Sequence, residues 1–255
     1  MTEMSPTAAG RVAVVTGAGQ GIGAAVARDL AARGYRVAVL DRNGAGAKEV
    51  ARSIGDGAGV LAVEADVADA ESMAAARAAV IDTFGGVDVL VNNAAIFSTL
   101  TMRPFEEIGL DEWDRVMAVN VRGPFLCARA FSPDLRASAR GRIVNLTSGA
   151  VFMGRPGYLH YVASKSALIG LTRSLAREFG DSGVTVNAIA PGSTETEVPR
   201  DTVTPADVAR IVAGQAIKRR QTAADLVGTV AFLAGAESDF VTGQTLVVDG
   251  GMVFQ

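Results

Sequence analysis

The sequence predicts an α/β protein built on a doubly wound parallel sheet, and three observations carry that expectation. Short runs rich in β-branched residues alternate with longer Ala-rich segments along the chain. Most of those runs are apolar without interruption, as expected for strands covered on both faces. The first run opens into a glycine-rich turn that passes directly into an amphipathic helical pattern. Alternation of this kind builds right-handed βαβ units and hence a parallel sheet.

The strand candidates are residues 12–16, 37–40, 60–64, 87–92, 143–146, 184–190 and 245–249. In the helical stretch 21–33, Ile22, Val26 and Leu30 fall at i, i+4 and i+8, while Arg28, Asp29 and Arg33 lie on other faces. Residues 111–129, 164–179 and 223–233 have the same pattern. The Gly-rich stretches 43–46 and 55–59 are expected as surface turns flanking a helix. No composition break or internal repeat divides the chain, so residues 1–255 are expected to form a single domain, with 1–10 as a flexible tail.

Composition removes several function classes. The 24 Lys and Arg stand against 27 Asp and Glu, a formal charge of −3, without the clustered basic excess of a nucleic-acid binder. One cysteine, Cys127, and one histidine, His160, exclude an internal disulfide framework and a structural zinc cluster, and no metal site is expected. The longest uncharged, mostly apolar stretches, such as 89–102 with its Asn and Thr, fall short of the roughly 18 residues a spanning helix needs. The first ten residues lack the basic region and apolar run of a secretory signal. The expectation is a cytoplasmic protein with no membrane partner.

Chemistry begins at the turn running from Thr16 through Gly17, Ala18, Gly19, Gln20, Gly21 and Ile22 to Gly23. Glycines let the backbone turn tightly and approach a pyrophosphate without a Cβ in the way, and the helix N-terminus that follows presents unpaired N–H groups. The spacing Gly17, Gly21, Gly23 differs from G-x-G-x-x-G. The second strand ends at Asp41, about 20 positions past the glycines, where a carboxylate binds a ribose 2′-hydroxyl and repels a 2′-phosphate. That favours NAD over NADP. Arg42, next in the chain, is suited to accommodate the extra phosphate and keeps NADP as the less favoured reading.

Tyr161 and Lys165 lie four apart at the start of an Ala-rich helix, which places both on one helical face. An ammonium beside a phenol favours phenolate and lowers the Tyr pKa from about 10. Such a Tyr serves as general base towards an alcohol or general acid towards a ketone. Ser148 follows the strand 143–146 at the carboxyl end, where open α/β sheets bind ligands. It is read either as a donor to a substrate oxygen or as a turn cap. Asn120, a polar residue in the helical stretch 111–129, must find partners if buried, as a structural bridge or in a proton path.

Taken together, these residues resemble the short-chain dehydrogenase/reductase family, from Arg11 to Met252. The motifs follow in order: the turn from Thr16 to Gly23, Asp66-Val67 after the third strand, Asn92-Asn93-Ala94-Ala95 after the fourth, then Asn120, Ser148, Tyr161 and Lys165, and finally Pro191-Gly192 with Thr196. Ser148 stands 13 positions before Tyr161. The resemblance implies a Rossmann-type sheet of about seven strands in the order 3-2-1-4-5-6-7, helices on both faces and a homotetramer. It implies that Tyr161 exchanges the substrate hydroxyl proton while hydride passes between substrate carbon and nicotinamide. Lys165 would lower the Tyr pKa and bind the nicotinamide ribose, Ser148 would orient the substrate oxygen, and Asn120 would hold a water linking Lys165 to solvent. Cofactor contacts would come from Gly17, Gln20, Gly21, Ile22, Gly23, Asp41, Arg42, Asp66, Val67, Asn93, Ala94, Tyr161, Lys165, Pro191, Gly192, Thr194 and Thr196. Asp66 and Val67 would flank the adenine, Asn93 would support the adenine ribose, and Thr194 and Thr196 the carboxamide. Two positions depart from the family pattern: Ala95 replaces a glycine, and Thr194 replaces an aliphatic residue.

Substrate contacts are expected from Ser148, Ala150, Met153, Tyr158 and Tyr161, from residues 96–97 and 149–153, and from a variable lid at 197–214. Phe97, Phe152, Met153 and Tyr158 read either as an apolar pocket or as plain core. Arg200, Asp201, Asp207 and Arg210 of the lid are expected on solvated faces, with no basic cluster at the mouth for a phosphorylated or carrier-bound substrate. One position along a helix points about 100° away, so His160 should face elsewhere than Tyr161. Cys127 is expected as a small buried hydrophobe, Lys218, Arg219 and Arg220 as a solvated or salt-bridged surface, and Trp113 and Met117 as core or interface. The leading functional expectation is an NAD-dependent oxidoreductase interconverting a small-molecule secondary alcohol and its ketone. The alternative is an NADPH-dependent 3-oxoacyl-(acyl-carrier-protein) reductase, which much of the sequence also resembles. A non-catalytic nucleotide-binding regulatory protein is the reading of another class.

Overall fold

The computed structural model describes residues 10–55, 57, 59–199 and 204–254. Seven strands form one sheet: β1 (Val12–Thr16), β2 (Arg36–Asp41), β3 (Val60–Glu64), β4 (Val89–Asn92), β5 (Arg142–Leu146), β6 (Thr185–Pro191) and β9 (Thr245–Val248). Their order is β3-β2-β1-β4-β5-β6-β9, and every pairing is parallel. This is the expected 3-2-1-4-5-6-7 order. The direction of winding reverses between β1 and β4, which opens a crevice at the carboxyl ends of the strands.

Successive side chains of a strand point to opposite faces, and β1 shows it. Ala13 and Val15 enter a core with α1 (Gly21–Ala32), α2 (Gly44–Ile54) and α9 (Ala224–Ala234). Val12 and Val14 enter a second core with α3 (Ala70–Phe84), α5 (Gly123–Ala137) and α7 (Leu159–Phe179). The remaining elements are α4 (Leu110–Met117), α6 (Ala150–Met153), α8 (Pro205–Gly214) and a two-stranded parallel pair, β7 (Thr194–Glu195) with β8 (Gln221–Thr222).

Several expected boundaries move. The stretch 111–129 is not one helix: α4 and α5 are separated by a wide π turn at Ala118–Arg122. Pro124 has no N–H with which to continue the i to i−4 ladder, and such widened turns are how a helix absorbs the break. α7 begins at Leu159, after Gly157 in the left-handed region (φ +79°), and not at 164. Residues 44–46 are the first turn of α2, capped by Asn43, whose side chain accepts from the Gly46 N–H. β4 begins two residues later than expected; Asp88 instead uses its carboxylate, taking the Val12 N–H at 2.7 Å and the Ser138 hydroxyl at 2.5 Å. β6 runs one residue further, through Pro191. Of the expected N-terminal tail, residues 1–9 lie outside the described residues, as do 56 and 58 of the expected turn 55–59. No helix among the described residues is long and apolar enough to cross a membrane.

A buried polar chain crosses the sheet from β4 to α7. Asn92 Nδ2 donates to Asn145 Oδ1 at 2.8 Å, and Asn145 Nδ2 donates to Thr172 Oγ1 at 2.9 Å. Asn92 and Asn145 are direct register partners. Asn145→Ala leaves the Asn92 amide without its acceptor in a dry interior, and urea denaturation should show a loss of about 1–3 kcal/mol. An unchanged unfolding free energy would remove the chain from the list of stabilising contacts.

Candidate active site

The glycine-rich turn is a cradle shaped by backbone. Gly17 has φ +61°, and a Cβ there would stand 2.6 Å from Ala94 Cα; a Cβ on Gly23 would stand 2.3 Å from the Gly17 carbonyl oxygen. Asn93 holds the loop after β4 against this turn, donating from Nδ2 to the Thr16 and Gly17 carbonyls at 3.0 and 2.9 Å. The Thr16 hydroxyl accepts from both the Asn93 and Ala94 amides at 3.1 Å. At the start of α1, the Gly21 N–H donates to Glu197 Oε1 at 2.7 Å. Asp41 at the end of β2 accepts from the Gly19 N–H (2.9 Å) and from the Asn43 N–H (2.8 Å). Its carboxylate is therefore pinned against the turn, while Arg42 and Gln20 are exposed. Asp66 is held by its own turn, accepting from the Ala68 N–H at 2.9 Å, and Val67 packs on Gly123 at the start of α5.

At the carboxyl edge of the sheet lies a cavity of about 450 Å³. It gathers Ile22, Asn93, Ser148, Ala150, Met153, Tyr158, Tyr161, Lys165, Pro191, Gly192 and Thr194 from the residues the sequence singled out. Lys165 Nζ donates to the Leu146 carbonyl, the last residue of β5, at 2.7 Å, and sits 6.0 Å from the Tyr161 ring centroid. Burial lowers its pKa from 10.5 to about 8, because the charged form loses solvation. Thr147 Oγ1 donates to the Lys165 carbonyl at 2.6 Å. The Phe97 ring lies 4.3 Å, centroid to centroid, from Tyr161. Ser148 Oγ accepts from the Ala150 N–H at 3.2 Å.

Asn120 is fully buried but does not line the cavity. From the π turn, its Oδ1 accepts from the Ile96 N–H at 2.8 Å, and its Nδ2 donates to Ser164 Oγ at 3.0 Å and to the Ile96 carbonyl at 3.2 Å. It thereby joins the loop after β4 to α7. Thr196 lies with Thr194 and Glu197 in an adjacent cleft of about 230 Å³.

Of the expected lid, Arg200 and Asp201 lie outside the described residues; Arg210 is exposed, as expected, Asp207 is half-buried, and the two, paired at 2.9 Å, also line the cavity. Asp207 also closes the capping box of α8 with Thr204. Arg155, which carries no sequence motif, lines the cavity too. Thr147, Met102 and Met252 were missed likewise; only the folded chain brings them here. His160 is fully buried with Nε2 3.2 Å from Glu112 Oε1 on α4, away from the cavity. Cys127 is buried, and burial pushes its thiol up to about 12. Arg219 and Arg220 pair with Asp225 and Glu195 at 2.6 Å each, and Lys218 Nζ binds the Ala213 carbonyl.

A parallel sheet with a glycine cradle at its switch point, and a buried Tyr–Lys pair at the same edge, defines a nicotinamide-binding Rossmann-fold oxidoreductase. A family model described as enoyl-(acyl carrier protein) reductase matches residues 17–253. A 3-oxoacyl-(acyl-carrier-protein) reductase of Staphylococcus epidermidis is 41% identical over 249 residues, covering 94% of this chain and 98% of that protein. One of Vibrio cholerae is 40% identical, covering 95% and 97%. A 3-ketoacyl-(acyl-carrier-protein) reductase of Brucella melitensis, solved in complex with NADH, superposes with a TM-score of 0.90 at 33% identity, covering 97% of this chain and 100% of that one. A putative short-chain alcohol dehydrogenase of Sinorhizobium meliloti gives 0.89 at 34%, covering 96% of each. The chain belongs to the short-chain dehydrogenase/reductase family.

The buried ammonium of Lys165 has a thermodynamic signature. An unfolded Lys titrates near 10.5 and the folded one near 8, so between these values the unfolded chain binds the extra proton. Stability then gains with rising pH over that window. Denaturation at pH 7.5, 8.5 and 9.5 should show that Lys165→Met removes this contribution, leaving a smaller rise, or a steeper fall, than in the wild type. Parallel pH profiles for the two proteins would place Lys165 in a solvated setting instead.

Proposed function

We propose that the protein reduces the ketone of a 3-oxoacyl group to a secondary alcohol, with NADH as hydride donor, and catalyses the reverse oxidation. The observation that carries this is the convergence of Tyr161, Lys165 and Ser148 on one cavity at the carboxyl edge of the sheet, next to the glycine cradle. The relatives' names favour the 3-oxoacyl substrate over the general secondary alcohol that the sequence placed first.

The residues fit a nicotinamide dinucleotide: without side chains at Gly17 and Gly23 the turn closes tightly against the Asn93–Ala94 loop, and the Gly21 N–H at the start of α1 already holds an anion in Glu197. A phosphate at that amide would displace the Glu197 carboxylate. Asp66 and Val67 would flank the adenine, Asn93 and Ala94 the adjoining ribose, and Pro191, Gly192, Thr194 and Thr196 the carboxamide. When bound, the cofactor supplies hydride to the carbonyl carbon or takes it from the carbinol carbon. Tyr161 then gives its phenolic proton to the carbonyl oxygen, completing the alcohol; in reverse, its phenolate takes the hydroxyl proton. Lys165 stabilises that phenolate, and Ser148 Oγ donates to the same substrate oxygen. Asn120 keeps the Ile96 loop and α7 in register behind them and would hold the water that links Lys165 to solvent. NADH is favoured because the Asp41 carboxylate is fixed at the end of β2, and Glu64, opposite it in register, adds a second negative charge. A homotetramer, which the family resemblance implies, would cover the exposed Phe125 of α5 and Phe254.

Fluorescence titration at equal ionic strength should find NADH bound at least about tenfold tighter than NADPH, ~1.4 kcal/mol; equal affinities would give the pocket to Arg42. Tyr161→Phe should lower kcat for ketone reduction at least about 100-fold with NADH binding retained. Turnover that survives the substitution would overturn the role of Tyr161, and wild-type protein that binds NADH but reduces no ketone would favour a regulatory function.

A further inference from the structure

We propose that Arg155 reads an anionic group at the far end of the substrate, so that the cavity selects an amphiphilic ketone: carbonyl at Tyr161, apolar stem, oxyanion at the guanidinium. The proposal rests on the reading of this cavity as a ketone site.

Five charged side chains line the cavity: Arg155, Lys165, Asp207, Arg210 and Asp249. Four are committed. Lys165 donates to the Leu146 carbonyl, and Asp207 and Arg210 neutralise each other. Asp249 accepts from the amides of Gly251, Met252 and Val253 at 2.9, 3.0 and 3.0 Å. The Arg155 guanidinium, among the described residues, meets neither a carboxylate nor a hydrogen-bond acceptor. It lies over the Tyr158 ring, 5.3 Å from the centroid. A ring contact of this kind takes up none of the guanidinium's N–H donors, and those donors can grip a carboxylate or phosphate through two parallel hydrogen bonds.

The path from the reactive phenol to this cation is aromatic. Tyr158 lies 5.6 Å from Phe97, and Phe97 lies 4.3 Å from Tyr161. Met102 and Met153, both partly exposed, flank the opening. An apolar stem lying along Phe97 and Tyr158 buries hydrocarbon, and its charged end arrives where the one uncommitted cation waits. A neutral ketone of the same length would gain the stem contacts and leave the guanidinium to water.

The anion has two chemical sources, the carboxylate of a free oxo acid and the phosphate of a phosphopantetheine arm. The test uses a matched pair for each: 7-oxooctanoate and its methyl ester, and S-acetoacetyl-4′-phosphopantetheine and S-acetoacetyl-pantetheine. KM and kcat are measured with NADH for wild type, Arg155→Met and Arg155→Lys. At least one anionic substrate should have a KM about tenfold below that of its neutral partner. Arg155→Met should erase that difference by raising the anionic KM alone, with kcat held, and Arg155→Lys should restore part of it; the pair that responds names the source. Equal KM values within both pairs in the wild type would overturn the proposal. So would a loss in Arg155→Met shared by charged and neutral substrates, which would mean that Arg155 only packs on Tyr158. If no member of either pair is reduced, the ketone reading falls and this proposal with it.

Discussion

The arrangement depends on one buried cation. Lys165 is drawn to the carbonyl of Leu146, where β5 ends, and that contact ties the first turns of α7 to the carboxyl edge of the sheet. Tyr161 stands one helical turn earlier and therefore faces the same cavity. An ammonium taken out of water is costly, and the depressed pKa of Lys165 records the cost. An ammonium desolvated near a phenol would lower the energy of the phenolate, which is what the function proposed above asks of Tyr161.

Around that cation the fold uses polar contacts to hold backbone segments that have no regular structure of their own. The loop after β4 is fastened at one end by Thr16 and Asn93 to the glycine turn, and at the other by Asn120 to Ser164. The π turn that presents Asn120 is the local consequence of Pro124, and it is used to reach across to the neighbouring helix. Thr147 ties the Lys165 carbonyl to the strand end, so the first turns of α7 are held at both the Lys165 side chain and its backbone.

Anions are handled with similar economy at the other end of the crevice. The amide of Gly21 is already engaged by Glu197, and that of Gly19 by Asp41. The protein's own carboxylates thus satisfy donors that a helix N-terminus and a glycine turn leave exposed. Asp41 belongs to the end of β2, whereas Glu197 comes from the segment leading into α8, far away in the chain.

Much of this was legible in the chain before folding. Apolar runs without alternation determined a parallel sheet covered on both faces, and the glycines between Thr16 and Gly23 determined a tight turn into the first helix. The four-residue spacing of Tyr161 and Lys165 determined that they share a face, because helical periodicity is a local property. What lay beyond it is what distance in sequence hides. The partners of Asn120, the seating of Glu197 on Gly21, and the return of Arg155, Asp207, Arg210 and Met252 to one cavity come from contacts between segments far apart in the chain. Their residue types alone carry no period or motif; an arginine beside a proline reads as surface until Tyr158 is placed beneath it. The sequence determined the strand–helix order and the shared face of Tyr161 and Lys165. Tertiary packing decided which charges are already paired and which one is left facing the cavity.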